Sequence, residues 1–163
     1  RTVNRMFGAV SAALFAAFSY KRMFDKHMDH HRYAGTPKDP DFSADDQRFL
    51  PWIITFFVQY VTVLQIIIMA GAFNVLHRVL GIGAQQLVLY WIIPAFLSTL
   101  QLFTFGTYLP HRLPHTENMK PHNARSQRKN HFLAMASCYF FGYHYEHHAH
   151  PRTPWWKLYS RKQ

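Results

Sequence analysis

The chain has 163 residues, a single cysteine, and 18 lysines and arginines against 8 acidic residues, for a formal net charge of +10. One cysteine excludes an internal disulfide framework and a zinc site built from several cysteines, and 17% aromatic residues exclude a disordered charged tail. The charge is uneven, because Arg78 is the only charged residue between Phe49 and His111. Two polar flanks around an apolar middle indicate a membrane protein, and the basic excess requires no nucleic-acid partner.

The first apolar run, residues 6–20, contains 15 uncharged residues. As a helix it would cover about 22 Å, which is short of the roughly 30 Å hydrocarbon core of a bilayer. We therefore predict an interfacial or re-entrant helix at 6–20. The shorter apolar run at 132–143 is interpreted in the same way.

Two longer uncharged runs, 51–73 and 87–109, have 23 residues each. A helix that crosses a bilayer needs about 20 largely apolar residues, so both runs are long enough. Pro94 is a point at which the second helix can kink, which membrane helices tolerate. Aromatic residues lie near the run ends, as in an interfacial belt: Trp52, Trp91 and Tyr108. A pair of buried helices in a soluble bundle is the less favoured alternative, since such helices usually carry a charged face.

The link between these runs, residues 74–86, is short and contains Gly81 and Gly83. The runs are therefore predicted to form an antiparallel transmembrane hairpin that returns the chain to its starting side. Segments 20–48 and 110–163 must then face the same compartment. Their basic excess predicts that this compartment is the cytoplasm, which makes the protein a multi-pass membrane protein with cytoplasmic flanks.

Two histidine clusters in the flanks share the spacing H-x-x-H-H. On a helix, positions i, i+3 and i+4 share one face, so each cluster can aim three imidazoles at one point. Neutral imidazole suits iron, zinc and copper. Because the hairpin brings both flanks to one side, the clusters are predicted to bind a pair of metals together, with surface decoration as the alternative. The six histidines are His27, His30, His31, His144, His147 and His148.

Other histidines differ in their expected roles. His111 lies at the end of the second long run, at the depth of such a site, and is predicted to be a further ligand. His122 is either a ligand, a residue that supports one, or a loop histidine. His77 lies in the hairpin link on the opposite side and is excluded. The remaining three lack the spacing and are expected at the surface or at an interface: His115, His131 and His150.

Four carboxylates lie close to the clusters in sequence. Asp29 and Glu146 occupy the middle of the two clusters, where they either orient an imidazole or, as the favoured interpretation, remain solvated and balance basic neighbours. Asp39 and Asp41 follow Gly35 in a turn-rich stretch. They either support the metal ligands or cap a helix, and both roles stay open at this point.

Longer runs around these residues are more specific than the histidine spacing. They read HxxHHxxxGTxxDPDF at 27–42, FLPW at 49–52, LQLFTFGTYLPHR at 100–112, HNARS at 122–126 and YHYEHHxHPxxPWWKL at 143–158. The histidine boxes alone resemble the membrane-bound di-iron oxygenases and desaturases. Together the runs are similar to the bacterial-type β-carotene ketolases, across essentially the whole chain.

We predict an all-α fold with a transmembrane hairpin, interfacial helices and a cytoplasmic histidine-rich cap that holds the metals, in one fatty acid desaturase-like domain over 1–163. The resemblance implies that the metals are two iron ions. It implies O2-dependent oxidation of C4 of the β-ionone ring of β-carotene, or of hydroxylated carotenoids, with an electron donor such as ferredoxin. The ring methylene is hydroxylated twice, and the geminal diol loses water to give a ketone. The implied iron ligands are His27, His30, His31, His111, His144, His147 and His148.

Two alternatives stay open: a fatty-acyl desaturase or hydroxylase of the same superfamily, and a non-catalytic membrane protein whose histidines bind zinc. The family also carries an earlier box of the form HDxMHG, for which residues 1–5 offer no counterpart. The sequence is therefore expected to be N-terminally incomplete. These 163 residues alone are expected to insert into membranes but to lack ketolase activity.

Overall fold

The structure is a computed structural model that describes residues 2–162, and no strand occurs in that range. The predicted all-α class is therefore confirmed. The helices are α1 (Thr2–Ala16), α2 (Tyr20–Tyr33), α3 (Phe49–Tyr60), α4 (Val63–Val79), α5 (Ala84–His111), α6 (His131–Cys138) and α7 (His144–Ala149), with 3-10 turns at Glu117–Met119 and Trp155–Arg161. The described residues divide into a first unit, 2–27 with 57–99, and a second unit, 28–56 with 100–162.

In the first unit, α1 is a 15-residue helix in which no residue is buried. It ends at Ala16, and the positive φ of 54° at Ala17 turns the chain out of the helix. The buried side chain of Gln65, on α4, donates a hydrogen bond of 2.6 Å to the backbone oxygen of Ala16. This bond satisfies a carbonyl that has no partner within α1, and it ties the end of that helix to α4.

The first long apolar run is divided into two helices rather than one. α3 ends at Tyr60, and α4 begins at Val63 with Thr62 as its N-cap. The backbone of Thr62 is extended, and its hydroxyl accepts a hydrogen bond of 3.1 Å from the backbone N–H of Gln65. A cap of this kind favours a new helix start at that residue. The two helices are bent by 83° at this break, so the run predicted as one crossing helix over 51–73 is divided between two helices.

The second long run lies within a single helix, α5, of 28 residues. In the part of the chain that the structure describes, α5 is the only single helix long and apolar enough to cross a membrane, and α3 with α4 would be a second span only if the bent pair counts as one. Pro94 does not end α5; the residues just before it, Val88–Ile92, form a π-helical segment. A wider turn there avoids the clash between the proline ring and the preceding turn.

The second unit is organised around Trp52, which is 1% exposed and packs edge-on against Phe103 and Tyr108. The indole N–H of Trp52 donates a hydrogen bond of 2.8 Å to the backbone oxygen of Asp41. The same ring that joins α3 to α5 therefore also fixes the loop after α2. That loop carries acidic residues, and the end of α5 carries a histidine.

A smaller cluster in the second unit supports α7. Tyr143, directly before α7, is fully buried with Ala134 and Leu158. Ala134 belongs to α6, whose N-terminus is capped by the side chain of Asn130. α6 spans eight residues and exposes Phe132 and Leu133. It covers only the first part of the apolar run 132–143, and its predicted interfacial or re-entrant position stays a prediction.

Candidate metal centre

His30 on α2 is 2% exposed, and its ring is held by Asp39. Its Nδ1 lies 2.9 Å and 3.0 Å from the two carboxylate oxygens of Asp39. The carboxylate also accepts hydrogen bonds of 2.8 Å from the backbone N–H groups of Gly35 and Asp41. Asp39 therefore fixes the His30 ring with Nδ1 directed at the carboxylate and Nε2 directed away from it.

The two groups shift each other's protonation. Burial disfavours the charged form of His30, but the hydrogen bond to Asp39 and the negative charges of Asp41 and Asp39 outweigh it, and the pKa of His30 is raised. Burial also opposes ionisation of Asp39, but the hydrogen bond and charge of His30 and the two backbone N–H groups lower the pKa of Asp39. The carboxylate thus stays ionised, as an acceptor for the Nδ1 proton requires.

The C-terminal end of α5 contributes His111, which is 1% exposed. Its Nδ1 lies 3.0 Å from the backbone oxygen of Asn123, an arrangement in which Nδ1 is the donor. The side-chain amide of Asn123 in turn donates to the backbone oxygen of Ala34 at 3.0 Å. With Nδ1 bound to a carbonyl, His111 presents Nε2 as the free lone pair.

The third contributor, α7, has six residues and no side-chain cap at Tyr143. Ser126 caps it from outside: its hydroxyl accepts a hydrogen bond of 3.1 Å from the backbone N–H of Tyr145 and donates one to the Glu146 carboxylate. Glu146 is 6% exposed and also pairs with Lys162 Nζ at 3.4 Å. The expectation of a solvated carboxylate is therefore wrong for Glu146, whereas Asp29 is exposed as expected.

Four buried histidines from these elements direct Nε2 at one point. The potential ligand atoms of His30, His111, His144 and His148 all lie within 4.8 Å of one another. The Nε2–Nε2 distances are 2.8 Å from His111 to His144, 3.0 Å from His144 to His148 and 3.1 Å from His148 to His30.

These distances fit a metal polyhedron. Two nitrogens that bind one metal at about 2.1 Å and at right angles to each other lie about 3.0 Å apart. Hydrogen bonds between neutral imidazoles are a poorer account, because each Nε2 carries either a proton or a lone pair. With the Nε2 atoms of His30 and His111 as acceptors, at most two of the three short contacts can be hydrogen bonds, and the third opposes two protons or two lone pairs. A cation between the four Nε2 atoms would satisfy all of them at once.

Two of the α7 rings, those of His144 and His148, are kept neutral. Burial, and then the neighbouring histidines, lower the pKa of His144 and of His148. A neutral imidazole is the form that binds a metal. Within residues 2–162, the Nδ1 atoms of His144 and His148 have no hydrogen-bond partner, so packing rather than hydrogen bonding orients these two rings.

A second group of histidines lies beside the first. His31 Nε2 lies 3.0 Å from His147 Nε2, and both rings are half-buried. The His31 ring is also 4.3 Å from that of His148, centroid to centroid. His27 lies one helical turn before His31 on α2, which places the two on one helix face. This group could hold a second metal next to the first.

The other histidines lie outside these groups among the described residues. The half-buried ring of His122 is 5.7 Å from that of His148, so it packs beside the four-histidine group. His115 Nε2 lies 2.8 Å from the backbone oxygen of His111, and His77 Nδ1 lies 2.9 Å from that of Ile82. His131 and His150 are exposed, as expected.

Sequence reasoning missed the residues that support the ligands from a distance. Two roles were open for Asp39, support of a metal ligand or a helix cap. The structure shows the first, because the carboxylate contacts His30 Nδ1. Ser126 and Asn123 were visible only as letters of the run HNARS, and Lys162 carried no signal at all. Their roles depend on contacts across 12 to 89 positions of the chain, which spacing does not reveal.

Residues 1–78 and 56–161 match the family model described as fatty acid desaturase. The chain is 39% identical to a β-carotene ketolase of a Paracoccus species over 98% of this chain and 65% of that protein. It is 32% identical to a β-carotene ketolase of Haematococcus lacustris over 97% of this chain and 51% of that protein. It is 34% identical to a zeaxanthin 4-ketolase of Chlamydomonas reinhardtii, over 97% of this chain and 36% of that protein.

The chain therefore spans less than two thirds of the length of these relatives. No solved structure matches it. The family model covers nearly every residue, and it includes both histidine clusters. The chain belongs to the fatty acid desaturase family.

Proposed function

We propose that this protein is a carotenoid ketolase, which oxidises C4 of a β-ionone ring to a ketone with O2. The observation that carries the proposal is the group of four buried histidine Nε2 atoms, in a chain whose relatives are named as ketolases. A fatty-acyl desaturase or hydroxylase would use similar boxes. The relatives, named for β-carotene and zeaxanthin, favour a carotenoid substrate over an acyl chain.

Two iron ions are proposed as the metals. The first would be held by His30, His111, His144 and His148, and the second by the three histidines of the adjacent group: His27, His31 and His147. Seven nitrogen donors leave room for oxygen ligands, and imidazole suits iron. Iron bound there would supply the redox chemistry that activates O2 towards an unactivated C–H bond.

The residues of this chain have defined tasks in the proposed reaction. Asp39 holds a proton on His30 Nδ1 and so keeps Nε2 available as a ligand, and Asn123 does the same for His111. Ser126 and Glu146 hold α7 and thereby the three histidines that it carries. Burial of the four-histidine group excludes bulk water, which limits release of oxidising species to solvent.

The overall chemistry balances with external electrons. In each hydroxylation one C–H bond at C4, O2, two electrons and two protons give a C–OH group at C4 and one water. The second hydroxylation places two hydroxyl groups on C4, and loss of water from this diol leaves the ketone. A small electron-transfer protein such as ferredoxin would supply the electrons.

The site is proposed to lie on the cytoplasmic side of a bilayer, in a single desaturase-like domain. α5 would cross the membrane, and the bent pair of α3 and α4 would form the other arm of the hairpin, so that both histidine clusters lie on one side. Few charged residues in 49–111 and many basic residues in the flanks support this orientation. A lipid-soluble substrate also requires a site at the membrane face.

The function is tested by incubating the full-length protein with β-carotene and, separately, with acyl lipids, in the presence of O2 and a reducing system. A 4-keto-carotenoid is the expected product. A desaturated or hydroxylated acyl chain, without any keto-carotenoid, would replace the ketolase by the acyl-modifying alternative. A full-length protein that holds zinc and forms neither product would be the non-catalytic metal-binding protein.

A further inference from the structure

The first unit contains a cavity of about 540 Å³ that the metal site does not use. Its wall combines the end of α1, the last turn of α3, α4 and the first half of α5. This volume lies within the range of about 300 to 1,000 Å³ that is typical of small-molecule sites. The wall is dominated by six aromatic rings: Phe15, Phe18, Phe57, Phe73, Trp91 and Phe96.

The wall carries no charge among the residues that line the cavity. Three polar side chains line it, and each donates a hydrogen bond to a backbone oxygen. The bonds run from Gln65 to Ala16 at 2.6 Å, from Asn74 to Ala70 at 2.8 Å and from Thr99 to Ala95 at 2.9 Å. An ionic ligand would lose its hydration there without a compensating partner. The cavity therefore suits a neutral, apolar molecule.

The aromatic rings favour a flat ligand over a flexible one. Phe15 and Phe18 lie nearly parallel, with centroids 6.1 Å apart and planes 16° apart. Phe57 and Phe96 face each other across helices at 6.1 Å, with planes 32° apart. Such ring faces stack on other flat π-systems. A rigid conjugated chain also loses little conformational freedom on binding, whereas a saturated acyl chain must be ordered at each bond.

We propose that this cavity binds the conjugated polyene chain of the carotenoid substrate. The inference rests on the proposed ketolase function, because that function requires a carotenoid to bind. A carotenoid is a long uncharged molecule and needs an apolar binding surface. The cavity of the first unit offers one, with no charged group among the residues that line it.

Filling the cavity tests the proposal. Ala95 lies in the wall, so Ala95→Phe places a ring inside the cavity, whereas Leu97→Phe changes an exposed position of the same helix outside the wall. In detergent solution, β-carotene binding is measured by the visible circular dichroism that the bound polyene acquires and by quenching of tryptophan fluorescence. We expect Ala95→Phe to weaken binding about tenfold, or 1.4 kcal/mol, and the control to change it by less than about twofold.

A second pair of variants provides an independent test in case Ala95→Phe does not fold. Ala70→Phe fills the cavity from α4, and Ile67→Phe is its exposed control on that helix. Iron content is measured in all four variants, and an unchanged value shows that the second unit is intact. Binding of β-carotene that is equal in the filled and control variants would overturn the proposal. Displacement of β-carotene by octadecane at equal concentration would assign the cavity to saturated chains instead.

The experiment distinguishes a failure of the ketolase function from a failure of the polyene-binding site. Wild-type protein that binds β-carotene in a cavity-dependent way but forms no ketone would contradict the ketolase function and leave the binding site standing. Wild-type protein that forms ketone, with an unchanged KM for β-carotene in Ala95→Phe and Ala70→Phe, would contradict the binding site and leave the ketolase function standing.

Discussion

His30 Nδ1 lies 2.9 Å from one carboxylate oxygen of Asp39 and 3.0 Å from the other, and both side chains are almost fully buried. The two residues are nine positions apart in the sequence. They can meet because α2 ends at Tyr33 and the chain turns back at Gly35. The carboxylate determines which nitrogen of His30 carries the proton. It therefore determines that Nε2 is the nitrogen that faces His148 Nε2, 3.1 Å away.

Replacement of Asp39 tests this relationship. Asp39→Asn keeps the shape of the side chain but removes the charge that fixes the His30 tautomer. We expect iron affinity to fall by about 10- to 100-fold, as measured by titration of the metal-free full-length protein with ferrous iron. Asp45→Asn, at an exposed position of the same loop, is the matched control. Equal affinity in the two variants would contradict a role of Asp39 in holding the ligand.

Ser126 is expected to contribute to stability, because its hydroxyl contacts Glu146 and Tyr145 of α7 rather than a histidine. Ser126→Ala leaves the buried Glu146 carboxylate and the Tyr145 N–H without that partner. We expect a loss of about 1 to 3 kcal/mol in the free energy of unfolding, seen as a lower thermal midpoint, together with reduced iron retention. Ser160→Ala removes an exposed hydroxyl that donates to the backbone oxygen of Lys157, and it should leave both quantities unchanged.

The histidines should separate into those that hold metal and those that do not. His148→Ala removes a buried imidazole whose Nε2 lies close to the Nε2 atoms of both His30 and His144. The variant is expected to lose ketone formation and to contain less iron. His77→Ala removes an exposed ring whose Nδ1 lies 2.9 Å from the backbone oxygen of Ile82, away from both histidine groups. Its activity and iron content should match the wild type. Normal turnover of His148→Ala would remove this residue from the ligand set.

The topology is tested by cysteine accessibility in a Cys138→Ser background. Single cysteines at Asp45 and Ser160, both exposed, should be labelled from the same membrane side, and one at Ala84 from the other side. This pattern follows if the chain crosses the membrane between 45 and 84 and again along α5. Labelling of Asp45 and Ser160 from opposite sides would exclude a common membrane side for the two histidine clusters.

The repeated spacing of the clusters predicted the essential arrangement, because helical geometry alone puts His27, His30 and His31 within one helical turn of each other. The position of His111 at the end of the second apolar run predicted that it lies at the same depth as the two clusters and joins them. Apolar run length predicted the single helix α5 but not the break in the preceding run. There Thr62 competes as a helix cap, an effect that hydropathy does not register.

The supporting residues could not be predicted because their partners are remote in the sequence. Glu146 looked like a solvated carboxylate between two histidines, yet Ser126 and Lys162 bury it. Asn123 holds the His111 ring through its backbone oxygen, which carries no side-chain signature. Such contacts depend on how α5 and α7 pack, and packing is a property of the folded chain rather than of local spacing.

The central claim is that these histidines hold a pair of iron ions, and the most direct measurement is the metal content of the full-length protein. The protein should be purified anaerobically, reconstituted with ferrous iron and analysed for iron and zinc by elemental analysis, with His148→Ala beside it. We expect about two irons per chain, since two adjacent imidazole groups are available, and a clear loss in the variant. Zinc in place of iron, or the same iron content in His148→Ala, would contradict the account.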